Sequence, residues 1–91
     1  MIRVKLTAQL KDWTHGASEV ELDSPGDLRR TLKKLDEAFP GIGQRIMDDQ
    51  DRLRANVNVF VNGENSRYLQ EDETQLKDGD EVVILPSVAG G

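Results

Sequence analysis

The residues with the clearest chemical potential are the last two of the 91-residue sequence, Gly90 and Gly91. Glycine lacks a Cβ, so a carboxylate behind two glycines can enter a channel too narrow for a side chain. The five residues 87–91 reach about 17 Å when extended. We therefore expect Val88, Ala89 and Gly90 to give the Gly91 carboxylate access to a partner's active site. The alternative is an ordinary frayed terminus.

Other side chains offer little chemistry. The sequence has no cysteine, which excludes disulfides and thiolate nucleophiles. The single histidine, His15, has no second ligand beside it, so we interpret it as a turn residue. An acidic stretch, 48–51, resembles the start of a calcium loop but lacks the central glycine and closing glutamate. Trp13 is expected to cover one end of the core. We expect no metal site and no cofactor bound to the chain.

Composition and charge narrow the class of protein. Hydrophobic residues make up 36% and charged residues 32%, which is typical of one soluble globular domain. The net charge is −5, and residues 62–91 hold seven acidic and two basic side chains. An acidic surface disfavours nucleic acid and favours a basic groove on a protein partner, unless it is merely a solvated face. No apolar run is long enough for a membrane span, so we expect a cytoplasmic protein.

Hydrophobic spacing predicts the elements that must position the tail. Alternation predicts strands at 2–8, 18–23, 56–61 and 81–85, with a short edge strand at 68–69 and a turn at 12–16. Apolar residues at helical spacing predict one long helix with Leu28, Leu32, Leu35 and Phe39 on its buried face. We expect Ser24 to cap this helix, with Pro25 as its first residue, Asp27 in its first turn and Pro40-Gly41 as its end. Ile42 and Ile46 predict one further helical turn, before a loop at 48–54.

The order of these elements predicts the fold class. Two strands, a long helix, a strand, a short strand and a last strand are typical of the α+β β-grasp fold of ubiquitin-like domains. We expect a mixed sheet of four to five strands packed on one main helix. Residues 1–86 would form this domain, and residues 87–91 a flexible C-terminal tail that ends in diglycine.

Three segments carry a resemblance to a known family. They are Asn56–Gly63, Asp78–Pro86 and the ending Val88-Ala89-Gly90-Gly91. These segments resemble the MoaD/ThiS family of ubiquitin-like sulfur carriers. The longer members fit best, namely the molybdopterin synthase small subunit and, more closely, the sulfur carrier of cysteine biosynthesis. The thiazole-forming carrier lacks much of what lies here at 40–55.

The resemblance implies a carrier rather than an enzyme. An E1-like enzyme would adenylate Gly91 with ATP, and a sulfur donor would displace AMP to leave a C-terminal thiocarboxylate. A downstream synthase would then accept the sulfur. The same activated glycine could instead modify lysines, as in a ubiquitin-like modifier. The chain could also be a synthase subunit, or an interaction module whose tail has no role.

Alternation also predicts where partner enzymes dock. If the three valines of 56–61 face the helix, Phe60 faces outward; if Val82 and Ile84 face it, Val83 and Leu85 face outward. In a β-grasp sheet these two strands are neighbours. We therefore expect Phe60, Val83 and Leu85 to form an exposed apolar patch, beside Pro86 at the root of the tail. The alternative is that a loop covers it.

Overall fold

A mixed five-stranded sheet and one long helix form the framework of the protein. The computed structural model describes residues 1–23 and 26–86. Its strands are β1 (Ile2–Leu6), β2 (Glu19–Leu22), β3 (Gly26–Asp27), β4 (Val57–Val61), β5 (Glu64–Asn65), β6 (Gln75–Leu76) and β7 (Glu81–Pro86). The α-helices are α1 (Ala8–Lys11), α2 (Leu28–Ala38) and α3 (Ile42–Ile46), and 3-10 turns lie at Asp12–Thr14, Ser66–Tyr68 and Glu71–Glu73.

The strand order of the large sheet is β2-β1-β7-β4-β5. β7 runs parallel to β1 and antiparallel to β4. It therefore lies in the middle of the sheet, with hydrogen-bonded neighbours on both sides. The predicted mixed sheet with one main helix is confirmed. A second, two-stranded sheet of β3 and β6 was not predicted.

The core lies between this sheet and α2. Every second residue of the three central strands is buried, as the alternation predicts: Ile2, Val4, Leu6, Val57, Val59, Val61, Val82 and Ile84. The helix contributes Leu28, Leu32 and Leu35, each fully buried. α3 buries Ile42 and Ile46, so the predicted extra helical turn is confirmed. Among the described residues, no helix is long and apolar enough to cross a membrane.

The start of α2 differs from the prediction. Asp27 is the N-cap rather than a residue of the first turn, because its carboxylate accepts the Arg30 backbone N–H at 2.8 Å. Gly26, at φ +140°, pairs with Leu76 in the small sheet, and that pairing requires extended backbone before the helix. Ser24 and Pro25, the predicted cap and first helical residue, lie outside the described residues.

Two other element predictions are wrong. A short edge strand is present, but it is β5 at Glu64–Asn65 and not at 68–69. Asn65 caps the 3-10 turn that follows, because its side chain accepts the Arg67 backbone N–H at 3.0 Å. Tyr68 is consequently 82% exposed. The first strand ends at Leu6 rather than at residue 8, where α1 begins. His15 does lie in a turn, in the left-handed conformation at φ 57°.

Candidate functional site

The root of the tail is held by the most enclosed strand of the sheet. β7 pairs with β1 as far as Ile84 and with β4 as far as Pro86, which lies opposite Val57. The predicted sulfur-carrying residue, Gly91, and the predicted access residues, Val88, Ala89 and Gly90, lie outside the described residues. The structure therefore locates the point from which they depart, at Pro86.

Three of the four predicted docking residues share the sheet face that points away from α2, whereas Pro86 lies on the other face, opposite buried Val57. Phe60 of β4 lies directly opposite Val83 of β7, and Leu85 lies opposite Asn58 one step closer to the tail root. Phe60 and Val83 are half-buried, and Leu85 is 36% exposed. Phe60, Val83 and Leu85 are called the apolar patch below. The pairing brings them together, as the alternation predicts.

Charged residues border the apolar patch on its β1 side. Lys5 lies beside Val83, and its Nζ is 3.1 Å from Glu81 Oε2. Arg3 Nη2 is 4.0 Å from the same oxygen. The neighbouring strand β2 adds Glu21 opposite Arg3 and Glu19 opposite Lys5, so this edge carries three carboxylates and two cations. These side chains are part-exposed, so their ion pairs contribute little to the stability of the fold.

Amide and carboxyl groups border the patch on its other sides. Asn65 Nδ2 donates to Asn58 Oδ1 at 3.4 Å, and Asn62 Nδ2 donates to Asp80 Oδ1 at 3.0 Å. Burial raises the pKa of Asp80, but hydrogen bonds from the Lys77 backbone N–H and from Asn62 outweigh this effect, so its pKa lies below the ordinary value. An apolar centre with a polar rim is the usual anatomy of a protein interface.

A cleft of about 680 Å³ lies on the helix side of the tail root. Its walls include Gln9, Trp13, Gln44, Arg45, Arg54 and Pro86. We call it the root cleft. Trp13 packs against the core, as predicted, and the guanidinium carbon of Arg45 lies 5.1 Å from the centre of its ring. Sequence reasoning missed this cleft because its residues come from four separate segments of the chain.

Two arginines that sequence reasoning also missed stabilise the loops around the site. Arg67 Nη2 donates to the carbonyl oxygens of Arg54, Ala55 and Val57, the last at 2.7 Å. These bonds hold the start of β4, the strand that pairs with Pro86. On the opposite flank Arg29 forms an ion pair with buried Asp72, and this pair raises the pKa of Arg29.

The acidic stretch at 48–51 supports its own loop. Asp48 Oδ1 accepts the backbone N–H groups of Gln50 at 2.8 Å and Arg52 at 3.1 Å, and these bonds lower the pKa of Asp48. Asp51 pairs with Lys33 at 3.0 Å. Within residues 1–23 and 26–86, no group of three or more histidine, aspartate or glutamate side chains is arranged to hold a metal ion.

Comparison with known proteins places the chain among small sulfur carriers. The family model described as the ThiS family matches residues 4–91. The sulfur carrier protein CysO of Mycobacterium tuberculosis is 36% identical over 80 residues, covering 85% of this chain and 86% of that protein. The molybdopterin synthase sulfur carrier subunit of Pyrenophora tritici-repentis is 34% identical over 77 residues, covering 84% and 75%.

The fold has a close structural counterpart. A chain from the crystal structure of the Amycolatopsis orientalis BexX/CysO complex superposes with a TM-score of 0.92 at 31% identity, covering 100% of both chains. The β-grasp prediction is thereby confirmed. That similar protein was crystallised in a complex.

Proposed function

The chain belongs to the ThiS family of small ubiquitin-like carrier proteins, which are not catalysts, and we propose that it carries sulfur on its C-terminal glycine. The observation that carries the proposal is the family match from residue 4 through Gly91. The geometry of the described residues supports it. Pro86 ends the enclosed strand β7, and the apolar patch lies beside that end. A partner that binds the patch is therefore placed to receive the tail.

The proposed chemistry begins with an unreactive carboxylate. A Gly91 carboxylate oxygen attacks the α-phosphorus of ATP in an E1-like enzyme, which forms an acyl-adenylate and releases pyrophosphate. A sulfide sulfur then attacks the acyl carbon, and AMP leaves. If the donor is an enzyme persulfide, the same attack gives an acyl disulfide, and a second thiol of the donor enzyme cleaves its S–S bond, which releases the carrier's sulfur and leaves a disulfide on that enzyme. The product is a C-terminal thiocarboxylate, whose sulfur is the nucleophile in a second enzyme. The chain supplies the carboxylate, and its lack of cysteine agrees with sulfur carried at the terminus.

We propose cysteine biosynthesis as the destination of the sulfur. The similarity to CysO, a named sulfur carrier, supports this assignment. A second candidate is the small subunit of molybdopterin synthase, which the similarity to the Pyrenophora tritici-repentis subunit favours. Both roles require the same activated glycine and differ in the enzyme that accepts the sulfur.

Intact-protein mass spectrometry of the chain from its native cells tests the carrier role. We expect a fraction of the protein molecules to carry sulfur in place of one oxygen at the C-terminus. A chain lacking Gly91 is the control, and it should show no such molecules. Finding Gly91 joined to lysines of other proteins, with no thiocarboxylate, would instead identify a protein modifier. A deletion strain separates the two pathways: a cysteine requirement supports the first, and loss of molybdoenzyme activity alone supports the second.

A further inference from the structure

The root cleft is cationic although the chain is acidic. Arg45 and Arg54 both line it, against one carboxylate, Asp12, while the whole chain has a net charge of −5. The charge of Arg54 interacts with that of Asp48, but among the described residues no carboxylate oxygen lies within 4.0 Å of either guanidinium. Two guanidinium groups beside the tail root are therefore available to an acidic group from outside the domain.

The fold holds Arg45 in a defined place. Its guanidinium lies over the Trp13 ring, and the ring in turn lies against Gly41, where an added Cβ would be 2.5 Å from the indole Cζ3. Gly41 has φ +103°, a conformation that favours glycine. The Trp13 ring is thus already occupied on one face by a cation. The cleft presents fixed positive charge rather than an open aromatic platform for a base.

Arg54 is held by backbone groups. Its Nε donates to the Gln44 carbonyl at 2.7 Å, and its backbone N–H donates to the Ile46 carbonyl at 2.9 Å. Its own carbonyl accepts from Arg67 at 3.2 Å. Both cations are therefore pre-positioned, which lowers the entropy lost when a partner binds.

The cleft and the apolar patch lie on either side of the same strand end. Consecutive residues of a strand point to opposite faces, so Leu85 belongs to the patch while Pro86 lines the cleft. An enzyme that receives the tail beyond Pro86 must approach both surfaces. Because the cleft adjoins the apolar patch and is positively charged, we expect an acidic segment of the same partner to occupy it.

We propose that the root cleft is a second docking surface, which receives an aspartate- or glutamate-bearing loop of the activating enzyme. This inference rests on the proposed sulfur-carrier function. The loop's carboxylate would pair with Arg45 and Arg54 while the apolar patch covers the other side of the tail root. Because the contact is made outside the reacting atoms, its loss should weaken carrier binding and leave the adenylation step unchanged.

Steady-state kinetics with matched charge reversals test the cleft. The E1-like enzyme encoded in the same genome is assayed for ATP–pyrophosphate exchange with wild-type chain, Arg45→Glu, Arg45→Gln and Lys34→Glu. Lys34 is an exposed cation of α2 that does not line the cleft, so its reversal makes the same change in net charge. We expect Arg45→Glu to raise the KM for the carrier by about tenfold or more, with kcat unchanged and a weaker dependence on salt.

Arg45→Gln keeps a long side chain over Trp13 and removes only the charge, so it should raise KM by a smaller factor even if Arg45→Glu unfolds. Equal KM values for Arg45→Gln, Lys34→Glu and wild type would overturn the proposal. A second readout is the indole N–H signal of Trp13, the only tryptophan, in ¹⁵N-labelled chain titrated with the unlabelled enzyme. We expect this signal to shift on binding, and an unchanged signal in a saturated complex would contradict the docking surface.

The two hypotheses fail in different ways. If the wild-type chain supports no exchange, the proposed function fails, and the inference about the cleft fails with it. If the wild-type chain is activated and the Arg45 variants match it, only the cleft proposal fails. If Lys34→Glu raises KM as much as Arg45→Glu, net charge explains the effect and the cleft has no specific role.

Discussion

At the scale of single residues, the proposed reaction needs one group, the Gly91 carboxylate, and one unobstructed approach to it. The rest of the domain presents that group without taking part in bond making. Gly91 itself lies outside the described residues, so its role depends on the family match and on chemistry. A variant at this position should therefore separate reactivity from folding.

Deleting Gly91 should abolish activation and leave stability unchanged. The described core involves residues only as far as Ile84, and the chain is anchored by strand pairing up to Pro86. We expect no ATP–pyrophosphate exchange above background and a midpoint of thermal unfolding equal to that of wild type. A clear fall in that midpoint would show that the terminus contributes to the fold and would refute the free-tail premise.

Replacing Leu85 by aspartate should weaken enzyme docking. Leu85 is 36% exposed, so the substitution should not disturb the core, but it places a charge in the apolar patch. We expect affinity for the activating enzyme to fall about tenfold, about 1.4 kcal/mol, in calorimetric titration. Tyr68→Asp is the matched control, because Tyr68 is 82% exposed and outside the patch. Equal affinities for the two variants would remove Leu85 from the site.

At the scale of elements, α3 and the turn before it place Trp13 and Arg45 in the root cleft. Gly41 is the N-cap of α3, its backbone is left-handed, and its lack of a Cβ lets the indole ring approach. This position combines two requirements, a positive φ and space for a neighbour. The two effects can be measured separately, because Gly79 has a positive φ but no neighbouring atom within 4 Å of an added Cβ.

Gly41→Ala should destabilise the protein more than Gly79→Ala. Both glycines have positive φ, +103° and +91°, so either substitution strains the backbone by about 1–2 kcal/mol. Only at position 41 would the new Cβ meet Trp13, which adds about 1–3 kcal/mol of overpacking. Urea unfolding curves measure both values. If the two variants are equally stable, the approach of Trp13 to Gly41 does not constrain the cleft.

At the scale of the whole molecule, acidic and basic side chains are unevenly distributed. The acidic excess lies in the last third of the sequence, yet the cleft beside Pro86 is lined by two arginines from other segments, Arg45 and Arg54. Many of the acidic side chains have structural partners instead. Asp72 pairs with Arg29, and Asp80 accepts hydrogen bonds at the turn before β7.

Stability should fall in acid partly through Asp80. Its folded pKa is lowered below the ordinary value of 3.8, so its ionised form contributes stability above that pH. This contribution should be lost as the pH falls through 3.8 toward the lower folded pKa. Asp80→Asn should therefore show a shallower decline in unfolding free energy below pH 4 than wild type, measured by urea unfolding. A decline of equal slope would exclude Asp80 from the acid response.

Sequence alone determined the features that repeat over short distances. Alternation in β1, β4 and β7 identified the buried face, and helical spacing identified the leucines of α2 and the extra turn α3. The pattern also identified the apolar patch, since residues two apart in a strand share a face. The terminal diglycine needed no tertiary information to suggest its chemistry.

Tertiary structure decided whatever depends on segments far apart in the chain. Pairing of β3 with β6 places the N-cap of α2 at Asp27 rather than at Ser24, and the Asn65 cap places a 3-10 turn at Ser66–Tyr68, where a strand had been expected to begin. The root cleft joins Trp13, Arg45, Arg54 and Pro86, whose separation carries no periodic signal. Local patterns fix which face a side chain takes, but only long-range pairing decides which faces meet.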